Sequence, residues 1–302
     1  MMRKIEFDDK IWEELGARNL PELINEFAEN PEVDSENFRE LVDCIWDAGV
    51  CEPIFFVVIP HLIDIASKLE FHRAKDLWCY LGSWVSTHNK YCGEISGQVL
   101  DLFYSTLQYA ERVCIESILK VSKLNDIDAV YLYASLFAFS NHDLGYMTMS
   151  SYKDDLEGTS VTKCENGHLN DVTVYNSGIV AYEEKEHPST IAFVDLDSIN
   201  YHFEKRDNNP WLLFEGCIQR LIKNDNISQE IKSHLKLSEL IVKYGVKPDL
   251  PIKYAFSLYG SLLLCNGSID ESNRIFHGWD KITCQKCGQK FIFADGWCEN
   301  YL

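Results

Sequence analysis

The spacing of hydrophobic residues along the chain predicts a mainly α-helical protein. Apolar residues recur at positions i, i+3, i+4 and i+7, which places them on one face of a helix. Ser35, for example, is placed to cap a helix in which Phe38, Leu41 and Ile45 share such a face. The periodic segments exceed ten residues and turn signals are sparse, so a strand-rich fold is disfavoured.

The same period predicts further helices along the chain. Two short ones lie near residues 11–15 and 23–27, and the longer ones cover 74–85, 97–120, 126–139, 211–223, 228–244 and 253–265. The apolar segment that begins at Ile54 is interrupted by Pro60. Because a proline ring clashes with the carbonyl one turn back, we expect a kink or a split in that helix.

Residues 151–200 have a different pattern, with short periods and many turn residues. Apolar positions alternate on either side of Asn176-Ser177-Gly178, a sequence typical of a hairpin turn. Residues 191–194 predict a third strand. We therefore expect a small β lobe between two helical regions.

Two short cysteine-bearing turns, far apart in sequence, predict a metal site. Cys284-Gln-Lys-Cys287-Gly is the usual knuckle of a zinc ribbon, and Cys164-Glu-Asn-Gly-His168 adds a thiolate and an imidazole. Three thiolates and one imidazole form the closed ligand set of a structural zinc site. We therefore predict one structural zinc ion bound by Cys164, His168, Cys284 and Cys287.

Alternatives to this site remain open at the level of sequence. In the first turn Gly167 stands where a second cysteine is expected, so Cys164 could instead be a buried thiol without a metal. Reserve ligands are His187, Cys265, His277 and Cys298. A redox role for Cys284 and Cys287 is disfavoured because the residues that follow predict a strand, whereas a thioredoxin-like motif needs a helix there.

Residues 38–168 resemble a bacterial group of HEAT-like helical-repeat proteins. The resemblance rests on Trp46-x-x-Gly49 followed by Pro60-His-Leu-Ile-Asp-Ile-Ala66, with a weaker echo near 250–290. The group has His-Gln before the glycine, where this chain has Asp47-Ala48. Members carry a helical pair followed by a cysteine knuckle, and several resemble immunity proteins encoded beside polymorphic toxins.

Together these observations predict a mainly α fold: a HEAT-like helical repeat, or α-solenoid, with a small β lobe resembling a zinc ribbon. We expect three regions. Residues 1–155 form an N-terminal helical-repeat region, and residues 156–200 form the β-rich lobe with the first half of the zinc site. Residues 201–302 form a C-terminal helical region that ends in the Cys-x-x-Cys knuckle.

Charge narrows the choice of partner. The formal net charge is −19, which argues against nucleic acid and against an anionic membrane surface. Residues 1–50 hold 14 acidic and 5 basic residues, a net charge of −9. This excess suits a basic protein partner, or it serves solubility alone.

Cysteine usage and hydropathy predict a cytoplasmic protein. The eleven cysteines are an odd number without the spacing of a small disulfide-bonded domain, and the first residues lack the apolar core of a signal peptide. The longest apolar run, residues 54–59, is far short of the ~20 residues that span a bilayer.

No catalytic residues are predicted. The chain has no phosphate-binding loop, dinucleotide fingerprint, nucleophile elbow or zinc-protease motif. We expect a non-enzymatic binding protein, and by resemblance an immunity protein that neutralises a basic bacterial toxin domain. A zinc-stabilised cytoplasmic adaptor and a metal-dependent hydrolase are the alternatives. The predicted partner-binding surface comprises Trp12, Glu13, Glu14, Glu36, Glu40, Asp43 and Asp47.

Overall fold

Helices dominate the fold, as the hydrophobic spacing predicts. The structure, a computed structural model, describes residues 4–47, 50–87, 95–140, 144–145, 159–175, 177–181 and 190–297. Those ranges contain eleven α-helices and three small antiparallel sheets. The chain divides into two compact units. The first comprises residues 1–122 and 138–146, and the second comprises residues 123–137 and 147–302.

The described part of the first unit contains six complete helices and one pair of antiparallel strands. In chain order its elements are α1 (Ile11–Glu14), α2 (Leu20–Glu29), α3 (Glu36–Ile45), β1 (Trp46–Asp47), β2 (Val50–Cys51), α4 (Phe55–Lys68), α5 (Phe71–Thr87) and α6 (Gly97–Ile118). Its core is aromatic, with Phe103 of α6 packed against Phe55 and Phe56 of α4. Ser96 caps α6 by accepting a hydrogen bond from the backbone N–H of Val99.

Helix α4 runs through Pro60 as a single helix of 14 residues. Of the two expected outcomes, a kink or a split, the split is therefore absent. Nearly every residue from Phe55 to Ile63 is buried, and this burial stabilises the helix across the proline. A proline inside a helix costs roughly 3 kcal/mol, which packing on this scale outweighs.

Helix α7 (Asp126–Ser140) spans both units, and the other elements of the second unit follow it. They are β3 (Thr159–Lys163), β4 (Leu169–Tyr175), β5 (Gly178–Ala181), α8 (Glu215–Ile222), α9 (Gln229–Tyr244), α10 (Ile252–Asn266), α11 (Ile269–Phe276), β6 (Lys281–Thr283) and β7 (Lys290–Ile292). Trp211, Phe137 and Tyr259 meet in the helical core of this unit.

The predicted hairpin between residues 172 and 181 is confirmed: β4 and β5 pair antiparallel, with Tyr175 opposite Gly178. The predicted third strand at 191–194 is wrong. The backbone N–H of Val194 donates to Ser233, and His234 of α9 bonds the carbonyl of Ala192. Because side chains of α9 satisfy these backbone groups, the segment needs no strand partner. The third strand is β3, which precedes Cys164.

None of the described helices is long and apolar enough to cross a membrane.

Candidate metal centre

The first cysteine turn connects β3 to β4. The backbone N–H of Cys164 donates to the carbonyl of His168 at 3.1 Å, which closes the turn on the last pair of the hairpin, Lys163 opposite Leu169. Inside the turn the N–H of Gly167 donates to the carbonyl of Cys164 at 2.8 Å. Gly167 has a φ of +80°, a conformation that favours glycine.

The second cysteine turn connects β6 to β7 in the same way. The N–H of Cys284 donates to the carbonyl of Gln289 at 2.9 Å, and Gly288 donates to the carbonyl of Cys284 at 2.7 Å. Gly288 has a φ of +70°. A strand follows Cys287, as the sequence predicts, rather than the helix that a thioredoxin-like redox motif requires.

The two turns meet, and their four predicted ligands form one cluster. One ligand atom from each of Cys164, His168, Cys284 and Cys287 lies within 4.8 Å of all the others. Sγ of Cys164 is 3.9 Å from Sγ of Cys287 and 3.7 Å from Nδ1 of His168. Nδ1 of His168 is 3.8 Å from Sγ of Cys284. Neighbouring sulfurs around a tetrahedral metal with bonds of about 2.3 Å are about 3.8 Å apart. The cluster could therefore hold a metal ion.

Hydrogen bonds within the turns favour the thiolate form that a metal requires. The side-chain amide of Asn166 donates to Sγ of Cys287 and, with the backbone N–H of Gln289, lowers the pKa of that thiol to about 6. Burial disfavours the thiolate of Cys284, but the backbone N–H groups of Cys287 and Lys286 outweigh it and lower its pKa. Burial raises the pKa of Cys164.

Packing beneath the cluster joins the first hairpin to the end of the described chain. Thr162 of β3 is fully buried, donates to the carbonyl of Phe293 at 3.0 Å, and pairs with Trp297 in an isolated β-bridge. Gly296 approaches the backbone of β3 so closely that a Cβ there would lie 2.2 Å from the carbonyl oxygen of Lys163. These contacts pack β3 against the segment that follows β7.

Two of the four reserve ligands are described by the structure, and neither joins this cluster. His277 pairs with Asp280 through Nδ1 at 2.7 Å, and both side chains are buried. Cys265 instead shares a side-chain hydrogen bond with Cys217. His187 and Cys298 lie outside the described residues. Within the part of the chain that the structure describes, the four predicted residues are the only group of three or more such side chains placed to bind one ion.

The pair of Cys217 and Cys265 joins α8 to the end of α10, and sequence reasoning did not find it. The hydrogen bond from the Cys265 thiol lowers the pKa of Cys217 to about 7, and Arg220 also favours this thiolate. The same hydrogen bond raises the pKa of Cys265. The two cysteines are 48 residues apart and lie in no common motif, so only the packing of the helices reveals them.

The predicted partner surface divides into exposed and buried positions. Glu13 and Glu14 are exposed on α1, where Glu13 pairs with Arg18. Trp12 is 2% exposed; its indole N–H donates to the carbonyl of Glu6, so it packs in the core and offers no surface to a partner.

Helix α3 carries the other described members of that surface. Glu36, Glu40 and Asp43 are exposed and share one face at the i, i+4, i+7 spacing, opposite the buried Phe38 and Leu41. Asp47 belongs to β1, and its side chain lies outside the described part of the structure.

Comparison with known proteins gives no match: no family model, no curated protein and no solved structure is significantly similar to this chain.

Proposed function

We propose that the four-residue cluster binds one structural zinc ion and that β3–β7 form a lobe resembling a zinc ribbon. The observation that carries this proposal is the convergence of four ligand atoms, each within 4.8 Å of the others, from two turns of similar geometry. Thiolates and imidazole are the preferred ligands of zinc, and four protein ligands complete its tetrahedron. The ion would fasten the β3–β4 hairpin to the β6–β7 hairpin.

A zinc ion with four protein ligands has no open position for water or substrate, so it builds structure and does not catalyse a reaction. We therefore propose a non-enzymatic role, with the helices forming a HEAT-like solenoid that binds another protein. Such folds expose extended surfaces suited to protein recognition. The partner that we propose is a basic toxin domain, which the chain would neutralise as a cytoplasmic immunity protein.

Two observations support a basic partner. The net charge is −19, with −9 in the first 50 residues. Glu36, Glu40 and Asp43 present three carboxylates on one exposed face of α3, and none of them has an ion-pair partner among the described residues. Complementary charge raises the rate at which two proteins associate, which suits an inhibitor that must act before its target does damage. The resemblance to immunity proteins points to the same role.

Metal analysis tests the zinc proposal. We expect one zinc per chain in the purified protein, and after replacement by cobalt the absorption spectrum of a tetrahedral site with three thiolates and one nitrogen. His168→Cys should convert that spectrum to the four-thiolate type. An exchangeable water ligand on the metal would instead favour a metal-dependent hydrolase, and protein without metal would contradict the proposal.

Charge reversal tests the partner proposal. Affinity purification from the native host, with mass spectrometry of the co-eluting proteins, should recover a basic protein whose toxicity the chain suppresses. Reversing three charges on α3 should slow association by about tenfold or more. The variant is Glu36→Lys, Glu40→Lys and Asp43→Lys. The matched control reverses three exposed carboxylates of the second unit: Asp197→Lys, Asp207→Lys and Asp225→Lys.

If the two triple variants slowed association equally, the net charge of the chain would account for the effect, and α3 would not be a defined binding surface. Recovery of a partner that is not toxic would favour the adaptor role over the immunity role.

A further inference from the structure

A cavity of about 470 Å³ lies beside the cysteine cluster in the second unit. Its walls come from β3, β6, β7 and the segment up to Trp297. Small-molecule sites generally have volumes of about 300 to 1,000 Å³, so the cavity is large enough for a small organic ligand. Cys164, one of the four proposed zinc ligands, contributes to its lining, and the proposed acidic partner surface does not.

Strand geometry places three lysines around this cavity. In the β6–β7 hairpin Thr283 lies opposite Lys290, and Lys281 lies opposite Ile292. Since directly paired residues point to the same side of a sheet, Lys281 and Lys290 are diagonal neighbours on the exposed face. Lys163, at the end of β3, is the third lysine of the lining.

The positive charge of these lysines is not neutralised within the described structure. Of the two carboxylates that line the cavity, Glu165 accepts a hydrogen bond from Gln289, and Asp295 is paired with Lys253 at 2.8 Å. Lys163, Lys281 and Lys290 have no ion pair among the described residues. With its three lysines and these two carboxylates, the lining has a net charge of +1, and a positive concave surface attracts anions although the chain as a whole has a net charge of −19.

The remaining wall of the cavity is apolar. Phe291, Ile292 and Trp297 supply the apolar surface.

We propose that this cavity, which we call the lysine cavity (lined by Lys163, Lys281, Lys290 and Trp297), binds a small organic anion. The ligand would carry a carboxylate or phosphate group for the ammonium groups and an aromatic or apolar group for the Trp297 wall. The ligand site is independent of the proposed protein partner.

Calorimetric titration of the full chain, with its metal content measured first, tests this proposal. The probes are benzoate and phenyl phosphate, with benzylamine as a cation of similar size and inorganic phosphate as an anion without an apolar group. We expect saturable binding of both aromatic anions, weaker binding at high salt, and no binding of benzylamine. The indole N–H signal of Trp297 in a nitrogen–proton NMR spectrum, assigned with Trp297→Phe, should shift on binding.

The variant Lys163→Gln, Lys281→Gln and Lys290→Gln should bind phenyl phosphate about tenfold more weakly or worse. Three exposed lysines outside the cavity provide the matched control: Lys120→Gln, Lys223→Gln and Lys236→Gln. Because all six side chains are exposed, circular dichroism and metal content should remain unchanged in both variants.

Three results would overturn the proposal: no saturable binding of either aromatic anion, equal binding of benzylamine, or equal affinity of the two triple variants. If inorganic phosphate bound as tightly as phenyl phosphate, the apolar group would contribute nothing to binding. That result would contradict the proposed class of ligand.

Discussion

The two cysteine turns differ in length by one residue, and that difference explains why they contribute different side chains to the cluster. In the first turn the bond that closes the hairpin joins Cys164 to His168, four residues on; in the second it joins Cys284 to Gln289, five residues on. Each turn contains one glycine in the left-handed conformation, Gly167 or Gly288, whose N–H donates to the carbonyl of the leading cysteine.

In the shorter turn the glycine occupies the third position after the cysteine, where the longer turn has Cys287. The second ligand therefore moves one residue on, to His168, and the longer imidazole side chain brings Nδ1 to 3.8 Å from Sγ of Cys284. The missing cysteine of the first turn is thus compatible with a group of four side chains placed to bind one ion. The length of the turn decides which residue can place its side chain in the cluster.

The largest effect that we expect comes from deleting a ligand in either turn. Cys284→Ala and His168→Ala should both weaken metal binding so that a chelator removes the ion more readily, because only three of the four protein ligands remain. Each should destabilise the β3–β7 lobe by about 3 kcal/mol or more. Metal content and thermal melting, with and without a chelator, measure both losses.

Cys44→Ala, at a half-buried cysteine of the first unit, is the control and should leave the metal content unchanged. If His168→Ala kept its metal while Cys284→Ala lost it, the shorter turn would supply only one ligand and the equivalence of the two turns would fail.

A smaller effect should follow from Gly296→Ala, which tests the packing of β3 against the segment that follows β7. The new Cβ would lie 2.2 Å from the carbonyl oxygen of Lys163 and 2.5 Å from Oγ1 of Thr162, so β3 would have to shift. We expect a loss of about 3 kcal/mol at most in chemical denaturation. The control is Gly216→Ala in α8, where nothing lies within 4 Å and no loss is expected.

The comparison of the turns also predicts that Gly167→Ala and Gly288→Ala reduce stability modestly and by equal amounts. Both glycines have a positive φ and nothing within 4 Å of an added Cβ, so the cost is conformational alone. Left-handed backbone costs other residues about 1–2 kcal/mol, and asparagine less than alanine. Melting temperatures of the alanine and asparagine variants measure this cost. A much larger effect at one glycine would show that the turns are not equivalent.

The smallest expected effect concerns the other cysteine pair of the second unit, Cys217 and Cys265. It is a difference in the rate at which the two thiols are alkylated. The pKa of Cys217 is lowered to about 7 by the Cys265 thiol, so its thiolate fraction rises as the pH increases through 7. Mass spectrometry after iodoacetamide treatment should show faster labelling at Cys217 than at Cys265, whose pKa is raised. Labelling of Cys217 that does not respond to pH between 6 and 8 would contradict the assigned thiolate.

The helices and the two cysteine turns could be predicted because each depends on local spacing. Helix α7, expected at 126–139, is observed at Asp126–Ser140, and Ser228 caps α9 by accepting from Ile231. The Cys-x-x-Cys-Gly sequence predicted both the turn at Cys284 and the strand that follows it. In each case neighbouring residues alone determine the backbone conformation.

The remaining features could not be predicted because they depend on contacts distant in sequence. Residues 191–194 have the composition of a strand, but Ser233 and His234 satisfy their backbone. Trp12 has the position of a surface residue, yet Phe7 and His61 cover it. The three lysines of the lysine cavity come from three strands, and no linear pattern joins them.

The joining of the two turns has a consequence for the order of folding. Cys164 and Cys287 are 123 residues apart, so bringing them together closes a long loop of chain at a large entropic cost. A cross-link over such a loop removes about 4–5 kcal/mol of chain entropy from the unfolded state. The helices α8 to α11 lie within this loop, and their collapse shortens the search. If the proposed metal site forms, we expect complete four-ligand binding to follow the folding of those helices and to report that this folding has finished.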